Sequence, residues 1–274
     1  MSDELKNIIK VACIYATSVI GAGFASGQEI MQFFSIYKTG GFFGIMLAGV
    51  LFSAVGSIVL GRVYKDRIRN YEEFLFPAFG WIVGWILEAA VTMFMLCLFC
   101  VMVARSGNVL SDRLGIPFGY AVLMMGLLCL VIILSNIKGI VALSTFVTPV
   151  LIVGIILAGL YIIFSGTREA ISISGYIRRF SGNWLVSSLL YVSYNSILAI
   201  VMMCSLRPYL KTAATARWGG ILGGALLCLA AMVIHAAIFM FYPEAFEKEL
   251  PILAILKNFS STAGTLYAVK LWLA

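Results

Sequence analysis

Residues 20 to 29, Ile-Gly-Ala-Gly-Phe-Ala-Ser-Gly-Gln-Glu, interrupt an apolar stretch that is otherwise long enough to cross a bilayer, and they do so near its midpoint. Gly21, Gly23 and Gly27 each weaken a helix by about 1 kcal/mol relative to alanine. Irregular backbone is tolerated at membrane depth only where it is buried in protein or lines a cavity. The first span therefore reads as a broken membrane helix that carries a binding site.

Composition agrees with a membrane environment. With 62% hydrophobic and 11% charged residues and a mean hydropathy of +1.04, the chain cannot hide its apolar surface inside one water-soluble core. The net charge of +7 does not indicate nucleic acid, because the lysines and arginines sit in short clusters between apolar runs, as juxtamembrane charges do. Cys13, Cys97, Cys100, Cys129, Cys204 and Cys228 all fall in apolar segments, where a thiol packs as a small hydrophobe. Neither a disulfide framework nor a metal site follows, and Cys97 and Cys100 read as packing. A cleaved signal peptide is not expected, because apolar character resumes at once through Ile30, Met31, Phe33 and Phe34.

A span needs roughly 20 mostly apolar residues. The segments that qualify run approximately over 8 to 35, 41 to 63, 81 to 104, 118 to 134, 141 to 164, 184 to 205 and 219 to 242, with a partial eighth from 263 to the end at Ala274. Ending in mid-run, the chain reads as truncated. Counting lysine and arginine in short loops puts the amino terminus in the cytoplasm, with Lys6, Lys10, Arg62, Lys65, Arg67, Arg69, Lys138, Arg207, Lys211 and Arg217 inside. The polar pieces between spans are short, so one transmembrane domain occupies 1–274. Tyr64 to Phe79 reads as an interfacial helix, and Pro243 to Ser260 as a short lid on the other face. Gly219 with Gly223, and Gly220 with Gly224, have the four-residue spacing that lets membrane helices approach closely.

Polar groups inside spans are costly and each has two readings. Glu29, about eight residues and 12 Å past the break along a helix, is expected near the outer rim. There it meets a substrate amine or closes a gate, or else pairs with a loop arginine. Glu88, in Trp85-Ile86-Leu87-Glu88-Ala89, is a candidate for proton coupling or an inner gate against a purely structural role. His235, the one histidine, reads as a hydrogen bond between helices. Tyr191-Val192-Ser193-Tyr194-Asn195-Ser196 carries five hydroxyl or amide side chains in the middle of the sixth span, and such groups need partners or water in hydrocarbon. The run reads as a second wall of the site, with interhelical bonding as the alternative.

Interrupted first and sixth spans suggest a transporter built from inverted repeats, with broken helices facing each other at midplane. The first repeat covers about 8–164 and the incomplete second about 184–274. Residues 24 to 37 are expected to form the outer half-helix, whose amino end would attract a carboxylate while unwound carbonyls hold a cation.

The run from Ala16 to Ile30, followed by Gln32-Phe33-Phe34, resembles the first span of the YkvI-like bacterial membrane proteins, and Glu249-Leu250-Pro251 and Leu271-Trp272-Leu273-Ala274 are similar as well. That family is placed with the amino acid, polyamine and organocation superfamily. The resemblance implies an all-α, LeuT-type bundle of about ten helices, of which eight are present here, with helices 1 and 6 discontinuous. It also implies that the peptide groups of Gly21, Ala22 and Gly23 bind a substrate carboxylate, and that Thr17 and Ile20 lie at an ion site.

The expected function is secondary transport of an amino acid or related small amine, coupled to sodium or protons, in the plasma membrane. Gly21, Ala22, Gly23, Phe24 and Ala25 line the site with Tyr191, Tyr194 and Asn195. A non-transporting ligand receptor on the same fold is the alternative. An enzyme ranks third, because no metal-binding, nucleophile-elbow or phosphate-cradling pattern occurs. No cofactor, metal or nucleic-acid partner is expected; protein partners stay open.

Overall fold

The computed structural model describes residues 3–134, 136–165, 183–241, 244–248, 250–259, 264 and 267. Among them every regular element is helical: α1 (Asp3–Val19), α2 (Ala22–Ser26), α3 (Gln28–Phe33), α4 (Thr39–Lys65), α5 (Tyr71–Phe79), α6 (Trp81–Leu114), α7 (Phe118–Leu134), α8 (Asn136–Ser165), α9 (Trp184–Cys204), α10 (Ala213–Met240) and α11 (Pro251–Phe259). By length and composition, α4, residues Trp81–Asn108 of α6, α9 and α10 can each cross a membrane, and Phe118–Ile132 and Pro149–Phe164 are shorter apolar helices. The chain is a helical membrane protein. The expected eighth span, apart from Gly264 and Tyr267, and residues 166–182 lie outside the described residues.

The core is a bundle of α1, α4, α8, α9 and α10, with α6 and α7 paired beside it. Glycine explains how α10 can pack against two helices at once. A Cβ on Gly220 would lie 2.3 Å from the Gly56 carbonyl carbon, and one on Gly224 would lie 2.4 Å from the Ser53 nitrogen, so this stripe holds α4 at backbone contact. Gly219 and Gly223, one residue back and about 100° around the helix, face Val11 and Tyr15 of α1 instead. Without a hydrophobic drive between helices in lipid, such close approach supplies the dispersion contacts that hold the bundle. Tyr15 is fully buried between them and donates to the Phe52 carbonyl at 2.8 Å.

One end of the bundle gathers the amino end of α1, the carboxyl end of α4 and the connection from α9 to α10. Thr212 donates to Glu4 at 2.8 Å. Lys10 lies over the Tyr209 ring at 4.5 Å, and Arg207 over Tyr64 at 5.6 Å. At the same end, α5 opens with Glu72 and Glu73 in its first turn, where negative charge suits the helix dipole. Glu73 accepts from the Arg69 amide at 2.7 Å.

The structure corrects three expectations. The sixth span is not broken, since α9 is continuous from Trp184 to Cys204. Two groups of its polar run bond back within the helix, Ser193 to Leu189 O at 2.7 Å and the Asn195 amide to Tyr191 O at 3.0 Å, while Tyr194 bonds across to Glu29 and the Tyr191 and Ser196 hydroxyls are buried without a partner among the described residues. With no glycine or proline to interrupt it, the helix runs on, and back-bonding to the preceding turn takes up the polarity of Ser193 and Asn195. The outer half-helix expected over 24 to 37 is instead a five-residue α2 and a six-residue α3. They are separated at Gly27, whose φ of 85° ends one helix and starts the next. A short 3-10 turn, Ser35–Tyr37, then leads into α4. Lastly, Glu29 does not stand at the outer rim.

Candidate functional site

The first span breaks where the glycines begin. Ile20 N–H still reaches Ala16 O at 3.0 Å, but Gly21 N–H turns to Val19 O at 3.1 Å, and regular bonding resumes only with Ala25 N–H to Gly21 O at 2.9 Å. Ala22, Gly23 and Phe24 thus supply the first amides of α2, which have no acceptor within their own helix. Ser26 donates to Gly23 O at 3.1 Å. Tyr267 donates to the Ala25 carbonyl.

The turn at Gly27 redirects α3 so that the Glu29 side chain folds back onto the break. A Cβ on Gly23 would lie 2.3 Å from Glu29 Oε1 and 3.0 Å from its carboxyl carbon. The carboxylate rests in the space that glycine leaves. Glu29 Oε2 accepts from the Tyr194 hydroxyl at 3.0 Å, so α9 holds the carboxylate from the other side. Tyr191, one turn before Tyr194, is 2% exposed. Its hydroxyl is buried without a hydrogen-bond partner, although it lies within electrostatic reach of the same carboxylate.

Aromatic rings enclose the site. Phe33 packs on Tyr191 at 5.1 Å and on Tyr194 at 5.6 Å between ring centroids; Tyr191 and Tyr194 are 5.6 Å apart, and Phe34 meets Tyr191 edge-on at 5.0 Å. Tyr191 also meets Phe52 at 6.0 Å. Phe52 stands thirteen residues from each end of α4, so the aromatic cluster lies at the middle of the bundle. On the open side, Met102 of α6 is the nearest group to Gly21, 3.6 Å from where a Cβ would stand. Arg105, three residues further along α6, is the cation whose field reaches Glu29.

The residues singled out in the sequence therefore separate. Gly23, Tyr191 and Tyr194 come together around the Glu29 carboxylate, whereas Gly21 faces Met102. Phe24 and Ala25 are buried in the core. The Asn195 amide is used within α9. Ile20 is buried, and the Thr17 hydroxyl donates to Cys13 O at 2.8 Å on α1. Glu88 stands fourteen residues from Met102 on α6, about 21 Å along the helix axis. It faces Glu72 of α5 and lines a cleft of about 390 Å³ with Trp85, Ala89, Thr92, Met93 and Leu96. It is not part of the site at the break.

Phe33, Tyr267, Met102 and Arg105 were not legible as site residues. Phe33 and Met102 sit in runs of ordinary apolar residues, and Arg105 and Tyr267 come from segments distant in sequence. His235 bonds from α10 to the 3-10 turn instead of to another long helix: its Nδ1 pairs with Ser35 Oγ at 2.8 Å, its Nε2 is buried without a partner among the described residues, and the ring stands edge-on to Phe42 at 4.3 Å.

The chain is similar to the "Uncharacterized membrane protein YkvI" of Bacillus subtilis (strain 168), with 26% identity over 261 residues, 94% of this chain and 74% of that protein. It is also similar to the "Uncharacterized protein YyaD" of the same organism, with 24% identity over 241 residues, 88% of this chain and 69% of that protein. No family model matches the chain, and no solved structure matches it.

Proposed function

We propose that this chain is a secondary transporter of a small amine-bearing solute, an amino acid or a related amine, working by alternating access and coupled to sodium or protons. One observation carries the reading: a carboxylate at the middle of an apolar bundle, held by one tyrosine against a broken helix and walled by aromatic rings. An anionic group at such depth is costly unless it has a task. An ammonium can satisfy it by a charge-assisted hydrogen bond, and aromatic faces stabilise the same cation. The break in α1 and the turn at Gly27 provide the hinges through which α2 and α3 shift as the site opens to one side or the other.

In this reading Glu29 is the substrate anchor and a carrier for a coupled proton. Thr17 and Ile20, just before the break, are the candidate ion-site residues. The broken first helix and the similarity to a membrane protein of the YkvI kind support placement with the LeuT-type transporters of the amino acid, polyamine and organocation superfamily. Inverted repeats over about 8–164 and 184–274 belong to that placement. The cluster of Lys10, Arg207 and the amino terminus at one end of the bundle supports a cytoplasmic amino terminus in the plasma membrane.

Uptake of radiolabelled amino acids and amines into proteoliposomes containing the full chain, with imposed sodium or proton gradients, tests the proposal. Gradient-driven accumulation of at least one solute, lost in Glu29→Gln, is the expected result. Saturable binding with no flux under any gradient would instead assign the site to a ligand receptor.

A further inference from the structure

Resting on the amine-transport reading, we infer that the site selects a cationic amine that carries no carboxylate, so that decarboxylated amines are preferred over the α-amino acids from which they derive. The reason is that the chain supplies its own carboxylate at the place a substrate carboxylate would need. Glu29 Oε1 occupies the space directly against Gly23, where the first amides of α2 have no acceptor within their own helix. A second carboxylate entering there meets like charge.

The restarting helix offers little to offset that repulsion. α2 has five residues before Gly27 ends it, too few aligned peptides to build a strong dipole. Among the described residues the cation acting on Glu29 is Arg105, and its side chain is on the exposed side of α6. It already serves the Glu29 charge.

What remains suits a cation. Glu29 is the anion, and Tyr194 shares it through a hydrogen bond. Tyr191, 2% exposed, has its hydroxyl within reach of the same carboxylate, and the oxygen lone pairs offer an acceptor for an ammonium proton. Phe33, Tyr191 and Tyr194 supply ring faces for the attached methylene groups and for the charge itself. The site has two groups able to bind –NH3+, while the groups that could bind –COO−, the first amides of α2 and Arg105, already lie beside or within reach of the Glu29 carboxylate.

Matched pairs decide the matter: tyrosine with tyramine, phenylalanine with phenethylamine, leucine with isoamylamine, and arginine with agmatine. Each is measured for binding to the full-length wild-type chain in nanodiscs and for displacement of a bound radiolabelled amine. The expected result is that at least one amine binds ten-fold or more tightly than its parent amino acid, and that Glu29→Gln removes the binding while its thermal midpoint stays near that of the wild type. If amino acids bind as well as or better than their amines, this inference is overturned and the amine-transport reading stands. If neither member of any pair binds, both are overturned. The wild-type comparison decides the question even where the Glu29 variant fails to fold.

Discussion

The carboxylate of Glu29 lies against the α-carbon of Gly23, six residues earlier in the chain. In an uninterrupted helix these two residues would stand about 9 Å apart along the axis and about 120° apart around it. The left-handed turn at Gly27 removes that separation and brings a charged side chain back to the broken peptide groups. Adding one methyl group tests the relationship. Gly23→Ala is expected to displace the carboxylate, since its Cβ would stand 2.3 Å from Oε1, and to weaken amine binding at least ten-fold with little change in expression. Equal loss of binding and of folded protein would show that the glycine serves the fold instead.

Tyr194 donates to the carboxylate from α9. A hydrogen bond to a charged group contributes about 1.5–3 kcal/mol, so Tyr194→Phe is expected to leave the Glu29 anion less well held and to weaken amine binding. Glu29→Gln should remove it altogether. Isothermal titration with the tightest amine gives the order wild type, then Tyr194→Phe, then Glu29→Gln; a Tyr194→Phe variant weaker than Glu29→Gln would contradict the assigned roles.

Amine binding should weaken as the medium is acidified. The groups facing Glu29 are Tyr194 and Tyr191 of α9 and Arg105 of α6, and Glu29 is the carboxyl among them, the group whose charge an added proton removes. Protonation removes the negative charge that the ammonium needs, so protons and amine compete. A plot of affinity against pH should flatten in Glu29→Gln. An unchanged slope in that variant would place the titrating group elsewhere.

Gly220 and Gly224 hold α10 at backbone distance from α4. Gly220→Val forces the helices apart at atoms that cannot move independently, and overpacking of this kind costs about 1–3 kcal/mol. A lowered thermal midpoint in detergent is expected, whereas Gly126→Val, a substitution at a glycine with open space around it, should leave the midpoint near that of the wild type.

Ser35 and His235 join the turn after α3 to α10. Ser35→Ala leaves a buried imidazole nitrogen without its partner, which costs about 1–3 kcal/mol. The double change Ser35→Ala with His235→Leu replaces both partners by apolar groups and should recover part of that loss. Thermal denaturation of the two variants checks the sign; a double variant much less stable than the single would mean that His235 does more than bond Ser35.

The spans were legible because a lipid environment demands long uninterrupted apolar runs, so α4, α7 and α9 fall within a few residues of where composition places them. The break in the first span was legible for a related reason, since three glycines in seven residues deny the helix its propensity. The sixth span misled because hydroxyl and amide side chains read alike in a sequence whether they open a helix or bond back to its previous turn. In α9 Ser193 and Asn195 do the latter.

Sequence alone determined that this chain is a helical membrane protein with a fault at Gly21 to Gly27, because helix propensity and hydropathy are local properties. Only the tertiary structure decided where Glu29 points. Its position depends on one left-handed glycine, on the space above another, and on a tyrosine 165 residues away. Those three conditions meet only after the helices have packed, since a bend in the backbone turns spacing along the chain into a different spacing in space.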